Sequence, residues 1–279
     1  MPERTAVRHR PTWAPDEIDI ERPSAARMYD YYLGGSYNFA ADRALAEQNM
    51  RAWPDMPHIT RANRAFLHRA VAFLSRAGID QFLDLGSGIP TNGNVHDVAR
   101  ANNPEARTVY VDVDPVAVAH STALLADLSF ATVIHADLRD PETVLEHPVL
   151  PQYLDLSRPV AVLMFAVLHF VSAQDGPTEI IATYRAASAP GSYLALSHGT
   201  DDYRPADAVQ AKSVYTRASH ALTFRSRDQV MSLTDGYELV DPGLVDIICW
   251  RPDPLDTSPD PLDGDVRRYS GYAAVGRKS

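Results

Sequence analysis

The sequence predicts an α/β fold in which helices cover a mostly parallel β-sheet. After residue 78, short apolar segments typical of buried strands alternate with helical segments, as in βαβ units. A glycine turn follows the first of these strands, as it does in nucleotide-binding folds. The last two apolar segments are joined by a loop too short for a crossover helix, which indicates an antiparallel pair at the sheet edge.

The composition is that of an ordinary globular protein with a sizeable core. Of 279 residues, 45% are apolar and 22% are charged. The formal net charge of -10 argues against a nucleic-acid partner, which would need a surface of opposite sign. The only cysteine, Cys249, fits a reducing cytoplasm and is interpreted as a core residue. Apolar runs are too short to span a bilayer, so we expect no membrane association.

The first quarter of the chain is predicted to be helical. Residues 1–20 are polar and interrupted by prolines, and we expect a flexible arm there without a signal peptide. Residues 21–78 are predicted to form a helical cap on the sheet domain, 79–279, within one structural unit. The cap helices are predicted at 24–32, 40–50 and 60–77.

The sheet domain is predicted from apolar runs and from proline and glycine stop signals. Strands are expected at 81–85, 108–113, 131–135, 159–165, 193–197, 237–240, 244–250 and 269–275. Helices are expected at 94–102, 116–127, 141–147, 178–189, 206–218 and 227–233. The segment 251–265 is rich in proline and aspartate and is predicted to be a loop.

The most informative segment is the turn Gly86-Ser87-Gly88, directly after the first strand. Its glycines let the backbone turn and approach a ligand closely. A dinucleotide site would have a further glycine or alanine where Thr91 stands. Asp84 precedes the turn, and a carboxylate there would repel a pyrophosphate but suits the ammonium group of a methionine moiety. The turn therefore favours S-adenosylmethionine, with a purely structural strand–helix turn as the alternative.

Acids also follow the next two strands. Asp112 can accept hydrogen bonds from both ribose hydroxyls of a nucleoside. Asp114 is an alternative for that role, but its place before a proline also suits a helix cap. Asp137 can accept a hydrogen bond from the exocyclic amine of adenine while Leu138 packs on the ring. Alternatively, Asp137 caps the following helix, although Asp140 fits that role better. Acids at three successive strand ends are more specific than any one alone.

The fourth strand leads into His169, a candidate general base, because the pKa of histidine lies near neutral pH. Strand ends in open α/β sheets face the ligand crevice. The alternative is a histidine that orders the loop, since methyl transfer often needs only alignment and desolvation. His198 and Asp201, after the fifth strand, are weaker candidates.

The N-terminal segment 22–42 is unusual for a surface helix, because several tyrosines flank the pair Gly34-Gly35. Tyr29 and Tyr32 share a helical face and can cover a cofactor with the glycines as a hinge, or they can simply pack on the core. We expect no metal site. The predicted cofactor residues are Tyr29, Tyr32, Gly34, Asp84, Gly86, Ser87, Gly88, Asp112, Val113, Asp137, Leu138 and Phe165.

Together these segments resemble the S-adenosylmethionine-dependent methyltransferase family common in Streptomyces and other actinomycetes, long classed as a domain of unknown function. The likeness covers nearly the whole chain and is most specific in 22–42, which generic methyltransferases lack. The other similar segments are 82–93, 110–115, 136–141, 160–171 and 272–277. The resemblance implies a class I methyltransferase fold, Rossmann-like, with a seven-stranded and mostly parallel sheet whose last strand is antiparallel.

The resemblance also implies where the cofactor lies: over Asp84 and the glycine turn, with the ribose at Asp112 and the adenine near Asp137 and Leu138. Leu168-His169 is similar to the corresponding strand end of small-molecule O-methyltransferases, in which the histidine is the base. The tryptophan expected two residues later is replaced by Val171.

The expected function is methyl transfer from S-adenosylmethionine to an oxygen, nitrogen or carbon nucleophile of a small molecule, leaving S-adenosylhomocysteine. We expect a cytoplasmic monomer or homodimer. One alternative is an NAD(P)-dependent oxidoreductase, which Asp84 and the missing third glycine disfavour. The other is a non-catalytic sensor or scaffold that binds the cofactor, which nothing in the sequence excludes.

Overall fold

The computed structural model describes residues 18–90, 93–218, 220–254 and 259–279. Most of the predicted arm, Thr91 and part of the predicted loop 251–265 therefore lie outside the described residues. In the described part of the chain, no helix has the length and apolar character needed to cross a membrane.

Between residue 18 and the first strand the structure has three helices, as predicted. They are α1 (Ala25–Tyr32), α2 (Ala40–Ala52) and α3 (Met56–Arg76). The last begins earlier than predicted, because Pro57 is well suited to a first helical turn. α3 buries Phe66 and Leu74 against the sheet, whereas α1 contributes Met28 and Tyr32 to a separate apolar cluster with α2.

The rest of the chain alternates strands and helices before a mostly irregular C-terminal part. The strands are β1 (Gln81–Leu85), β2 (Arg107–Asp112), β3 (Ala131–His135), β4 (Ala161–Phe165), β5 (Tyr193–Gly199), β6 (Glu238–Leu239), β7 (Val245–Asp246) and β8 (Gly271–Arg277). The helices are α4 (Val95–Asn102), α5 (Pro115–Leu125), α6 (Pro141–Leu145), α7 (Leu150–Tyr153), α8 (Pro177–Ala187), α9 (Pro205–Tyr215), α10 (Arg227–Ser232) and α11 (Val266–Tyr269).

The strand order is β3-β2-β1-β4-β5-β8, with β6 and β7 both paired to the other edge of β8. The sheet has eight strands, one more than the seven expected, because β6 and β7 both pair with β8. β8 runs antiparallel to β5. The predicted mostly parallel sheet with an antiparallel last strand is therefore confirmed. The order reverses between β1 and β4, which opens a crevice at the carboxyl ends of the parallel strands.

Alternate residues of each strand face opposite helical layers. Leu83 and Leu85 pack with Ile181 of α8, whereas Phe82 packs on the side of α3 with Phe66. This alternation buries every residue of β1 and fixes which side chains reach the carboxyl end of the sheet.

The C-terminal region departs from the prediction in three places. The strand predicted at 244–250 is limited to β7, because the chain then turns, with the Cys249 amide bonded to the Asp246 carbonyl. This turn leaves Cys249 exposed, so its assignment to the core is wrong. The strand predicted at 269–275 starts only after Tyr269, because Asp265 caps the unpredicted helix α11.

Candidate active site

A cavity of about 410 Å³ lies at the carboxyl ends of the parallel strands, where α1 and α3 also line it. Every predicted cofactor residue except Gly34 lines it, and so do His169 and His198. Gly34 is exposed in the turn after α1. Asp201 pairs instead with Lys212 at 3.0 Å. Within the described ranges, no group of three or more histidine, cysteine or acidic side chains is placed to hold a metal ion.

The glycine turn after β1 has the backbone shape that its sequence requires. Gly86 and Gly88 have φ of +72° and +68°, a region that strongly favours glycine. A Cβ at Gly86 would lie 2.3 Å from Val167 Cγ2, whereas one at Gly88 would meet no described atom within 4 Å. The hydroxyl of Ser87 is buried and has no hydrogen-bond partner among the described residues. An open backbone beside an unpaired hydroxyl indicates a site that a ligand completes.

The close contact of Gly86 predicts a large effect of Gly86→Ala on stability. The left-handed conformation costs alanine about 1–2 kcal/mol, and the clash with Val167 adds roughly 1–3 kcal/mol. Gly78→Ala is the matched control, since Gly78 has φ of +94° but no described atom near the added carbon. Urea unfolding should show the larger loss for Gly86→Ala, partly recovered by adding Val167→Ala. Equal losses for the two single variants would contradict this packing.

Asp84 and Asp112 are buried carboxyl groups on the same side of the cavity. Burial raises the pKa of Asp84 to about 7; Arg64 opposes this shift and neighbouring Asp112 adds to it. Burial also raises the pKa of Asp112 to about 6, against hydrogen bonds from backbone amides. Its carboxylate accepts from the Gly88 amide at 2.6 Å and from the Asp114 amide at 2.8 Å. Two buried acids of this kind favour a cationic or hydroxyl-bearing ligand.

Asp114 caps α5. This is the helix-cap role that its place before a proline suggested, as the alternative to ribose binding. One carboxylate oxygen accepts from the first amides of that helix, at 2.8 and 3.3 Å. The other accepts from the Ser24 hydroxyl and, at 3.3 Å, from Arg27. Arg27 also binds Asp42 at 2.9 Å, and these contacts join α1, α2 and α5 beside the cavity. No sequence pattern indicates the role of Arg27, because its contacts join three separate segments.

Removal of Arg27 is expected to destabilise the protein strongly. Its side chain is 4% exposed and that of Asp42 is 0% exposed, so Arg27→Ala leaves buried carboxylates unpaired, which costs about 3–5 kcal/mol. Arg158→Ala is the control, because Arg158 pairs with Asp80 but its side chain is 56% exposed, and such pairs contribute less than about 1 kcal/mol. Urea unfolding measures both, and a loss for Arg27→Ala no larger than the control's would count against the buried pair.

Asp137 differs from Asp84 and Asp112 because its carboxylate is already paired with an arginine, Arg139. Both of its oxygens accept from Arg139 Nε at 3.0 Å. Burial alone would raise the pKa of Asp137, but hydrogen bonds from Arg139 hold it below the usual value. Asp140 caps α6 through the Thr143 amide at 3.2 Å, which confirms the sequence's preference for Asp140 as the cap. A hydrogen bond between Asp137 and adenine stays a prediction. The carboxylate would then bind adenine and Arg139 at the same time.

A chain of hydrogen bonds, in which only Tyr29 was predicted from the sequence, connects α1 and α3 to the sheet. The Ala166 amide donates to Ser197 Oγ at 2.9 Å, and Ser197 donates to Asn63 at 2.5 Å. Asn63 donates to the Tyr29 hydroxyl at 2.9 Å, which donates to the Thr60 carbonyl at 3.0 Å. Tyr29 was predicted from the sequence, but Ser197, Asn63 and Thr60 belong to no motif, so no pattern connected them with it. Ala166 has φ of +51°, a strained conformation often found at functional sites.

His169 lies in a single-turn 3₁₀ helix, Leu168–Phe170, just after β4. Its Nδ1 accepts from the Gly199 amide at 3.4 Å. Burial and nearby Arg225 lower the pKa of His169 to about 3. His198 is also held neutral, since burial lowers its pKa well below the usual value. Both rings are therefore uncharged at neutral pH.

The fold and the site define an α/β protein of the class I methyltransferase type. The chain belongs to the S-adenosyl methyltransferase family, whose model matches residues 11–279. It is therefore an S-adenosylmethionine-dependent methyltransferase, as the resemblance implied, and the nicotinamide alternative is not supported.

Solved structures similar to this chain agree with the family match. A candidate methyltransferase from Thermobifida fusca YX is 40% identical, with a TM-score of 0.89 over 96% of this chain and 100% of that chain. A DUF574 family protein from Streptomyces avermitilis MA-4680 is 38% identical, with a TM-score of 0.88 over 94% of this chain and 99% of that chain. An O-methyltransferase family protein from Burkholderia thailandensis shares the fold. It is 15% identical, with a TM-score of 0.53 over 93% of this chain and 65% of that chain. No curated protein matches the chain.

The residues of the cavity fit S-adenosylmethionine chemically. Asp84 and Asp112 offer buried carboxyl groups to a ligand that carries an ammonium group, a sulfonium and a ribose diol. The unpaired hydroxyl of Ser87 and the open backbone at Gly88 lie between them in sequence.

Proposed function

We propose that the protein methylates an oxygen, nitrogen or carbon nucleophile of a small molecule inside this cavity. One observation carries the proposal: a single cavity joins the acids of β1 and β2 to the ends of β4 and β5 at His169. Its volume of about 410 Å³ falls in the range of small-molecule sites. The net charge of -10 supports a partner other than nucleic acid. We also place the protein in the cytoplasm, without a membrane partner, as a monomer or homodimer.

In this proposal the cofactor lies along the β1–β3 half of the cavity. Asp84 binds the ammonium group, Asp112 accepts from the ribose hydroxyls beside Val113, and Leu138 packs on the adenine beside Asp137. The sulfonium supplies an activated methyl group when bound. The glycine turn lets the backbone approach the ligand closely, and the buried setting of the acids strengthens their interactions with its charge.

Residues 21–78 act in this proposal as a cover that excludes water. Two tyrosines hold α1 over the cavity. Tyr29 is bonded to Asn63 and Thr60, and Tyr32 is bonded to Asn49 at 3.0 Å. Exclusion of water aligns the acceptor with the methyl group and removes a competing nucleophile.

The proposed function is tested by incubation with S-adenosylmethionine and a panel of small phenols, amines and activated carbon acids. We expect S-adenosylhomocysteine to form only with some acceptors, each gaining the mass of one methylene. Asp112→Asn should lower the rate at subsaturating S-adenosylmethionine by about 10- to 100-fold. Cofactor binding without a product from any acceptor, together with a stable protein partner in pull-downs, would support the sensor alternative instead.

A further inference from the structure

The hydrogen bonds at His169 fix which ring nitrogen carries the proton. A backbone amide can only donate, so the bond from Gly199 to Nδ1 requires that nitrogen to be unprotonated. The neutral ring then carries its proton on Nε2. Among the described residues no partner is bonded to Nε2, while the ring itself lines the cavity. His169 therefore offers the cavity a donor and not a base.

The surroundings of His169 hold it in this form. On β5, His198 Nδ1 lies 2.7 Å from the Gly199 carbonyl, and Arg225 Nη1 lies 2.8 Å from His198 Nε2. Arg225 also donates at 2.8 Å to the carbonyls of Leu168 and Val171, which flank the 3₁₀ turn of His169. The carbonyl of His169 accepts from the Thr223 amide at 2.7 Å. Rotation of the ring to free Nδ1 would leave the half-buried Gly199 amide without this hydrogen bond.

Among the described residues packed around His169, no carboxylate acts on the ring, and the charged group that does is Arg225. The titratable groups contributed by the neighbouring elements are His198 from β5, Arg225 beside it, Tyr215 from α9, Tyr29 from α1 and Tyr269 from α11. Burial raises the pKa of Tyr215 to about 12 and also raises the pKa of Tyr29 and Tyr269. These groups stay neutral, apart from the arginine, at physiological pH.

The wall of the cavity around His169 is mostly aromatic and apolar. The ring of Phe170 lies 4.5 Å from that of His169, and Tyr215 lies 5.8 Å from Phe170. Met56, Ile59 and Ile247 also line the cavity. Such a wall favours a flat, neutral or weakly charged molecule over a strongly hydrated one.

We propose that His169 donates a hydrogen bond from Nε2 to the methyl acceptor instead of removing its proton, and that the acceptor is a small aromatic molecule whose nucleophilic atom has a free lone pair at neutral pH. This inference rests on the proposed function. A ring nitrogen, an aromatic amine or an ionised acidic hydroxyl has such a lone pair. The lone pair forms the new bond to the methyl carbon, and the sulfur keeps the electron pair of the bond that breaks. A nitrogen acceptor becomes cationic and releases any N–H proton to water, whereas an oxyanion becomes a neutral ether.

The tautomer is tested without turnover, by long-range ¹H–¹⁵N spectra of ¹⁵N-histidine protein loaded with S-adenosylhomocysteine. The signals of His169 are those that disappear in the His169→Gln variant. We expect them to show an unprotonated Nδ1 and a protonated Nε2, with the same tautomer between about pH 6 and 9. A proton on Nδ1, or titration of the ring in that range, would overturn the proposal.

Two substitutions separate a donor from a base. His169→Gln keeps an N–H donor near the position of Nε2, whereas His169→Asn keeps polar atoms only near Nδ1. We expect kcat/KM of the glutamine variant within about threefold of the native value and a loss of at least about tenfold for asparagine. S-adenosylhomocysteine should bind both variants equally. Equal losses of about 10²–10⁴ in both would indicate a general base.

Probe acceptors test the inference about the substrate. At neutral pH we expect para-nitrophenol, which is about half ionised, and benzimidazole to react at least about tenfold faster than para-cresol. The rate with para-cresol should rise with pH as it ionises. Equal rates for para-cresol and para-nitrophenol at neutral pH would overturn the inference and leave methyl transfer intact. Absence of product from these and all other acceptors would contradict the proposed function itself, whatever tautomer the spectra show.

Discussion

Replacement of Asp112 by asparagine is expected to weaken S-adenosylhomocysteine binding by about 10- to 100-fold. A carboxylate accepts hydrogen bonds of about 1.5–3 kcal/mol from its donors, and each 1.4 kcal/mol corresponds to about tenfold in affinity. In the structure Asp112 also accepts from the Gly88 amide at 2.6 Å. An amide side chain cannot serve the ribose hydroxyls and both backbone amides, so the glycine turn loses its anchor as well.

Isothermal titration calorimetry measures this effect, with Asp140→Asn as the matched control. Asp140 is also an aspartate that follows a strand, but it is exposed and caps α6 outside the cavity. The control should bind S-adenosylhomocysteine with native affinity. Native affinity in Asp112→Asn would remove Asp112 from the cofactor site.

Affinity for S-adenosylhomocysteine is expected to rise with pH through about 7, the pKa that burial gives Asp84 in the free protein. The ligand's ammonium group needs the ionised carboxylate, so protonated Asp84 must lose its proton before binding. Below that pKa the affinity should fall by up to about tenfold per pH unit. Titrations in buffers of different ionisation enthalpy should show about half a proton released per ligand near pH 7.

Asp84→Asn is the control for this pH dependence. The variant should bind more weakly, without the change near pH 7, and should keep only a smaller change near the pKa of about 6 of Asp112. Proton uptake on binding, or a pH profile identical to that of the native protein, would contradict the role of Asp84.

The same shift changes the stability of the free protein. The folded pKa of Asp84, about 7, lies above the usual aspartate pKa of about 3.9, so the folded state binds more protons than the unfolded state between those values. The free energy of unfolding should therefore fall as pH rises from about 4 to about 7. Urea unfolding of the native protein and of Asp84→Asn separates this contribution from that of other groups.

Much of the sheet could be predicted because its strands are short, apolar and bounded by turn residues. Gln81–Leu85 and Ala131–His135 form strands with the predicted bounds. The C-terminal strands were less predictable, since an apolar run such as 244–250 can pair in a sheet or fill a core. Trp250 is fully buried against Phe66, which is a tertiary contact that strand propensity does not encode.

The site could be predicted where function depends on position within a strand–turn–helix unit. Asp84, Asp112 and the glycine turn follow from such local order, and the structure brings them into one cavity. The buried contacts of Arg27 and the chain from Ala166 to Thr60 join segments far apart in sequence. No single segment carries their pattern, so only the folded structure reveals them.

A crystal structure of the complex with S-adenosylhomocysteine would show which residues hold the cofactor. We expect the ribose hydroxyls on Asp112, the ammonium group at Asp84, the adenine beside Leu138, and the sulfur directed at open space beside His169. A ligand bound elsewhere, or one whose ribose contacts Asp114 while Asp112 keeps only its backbone bonds, would contradict this arrangement.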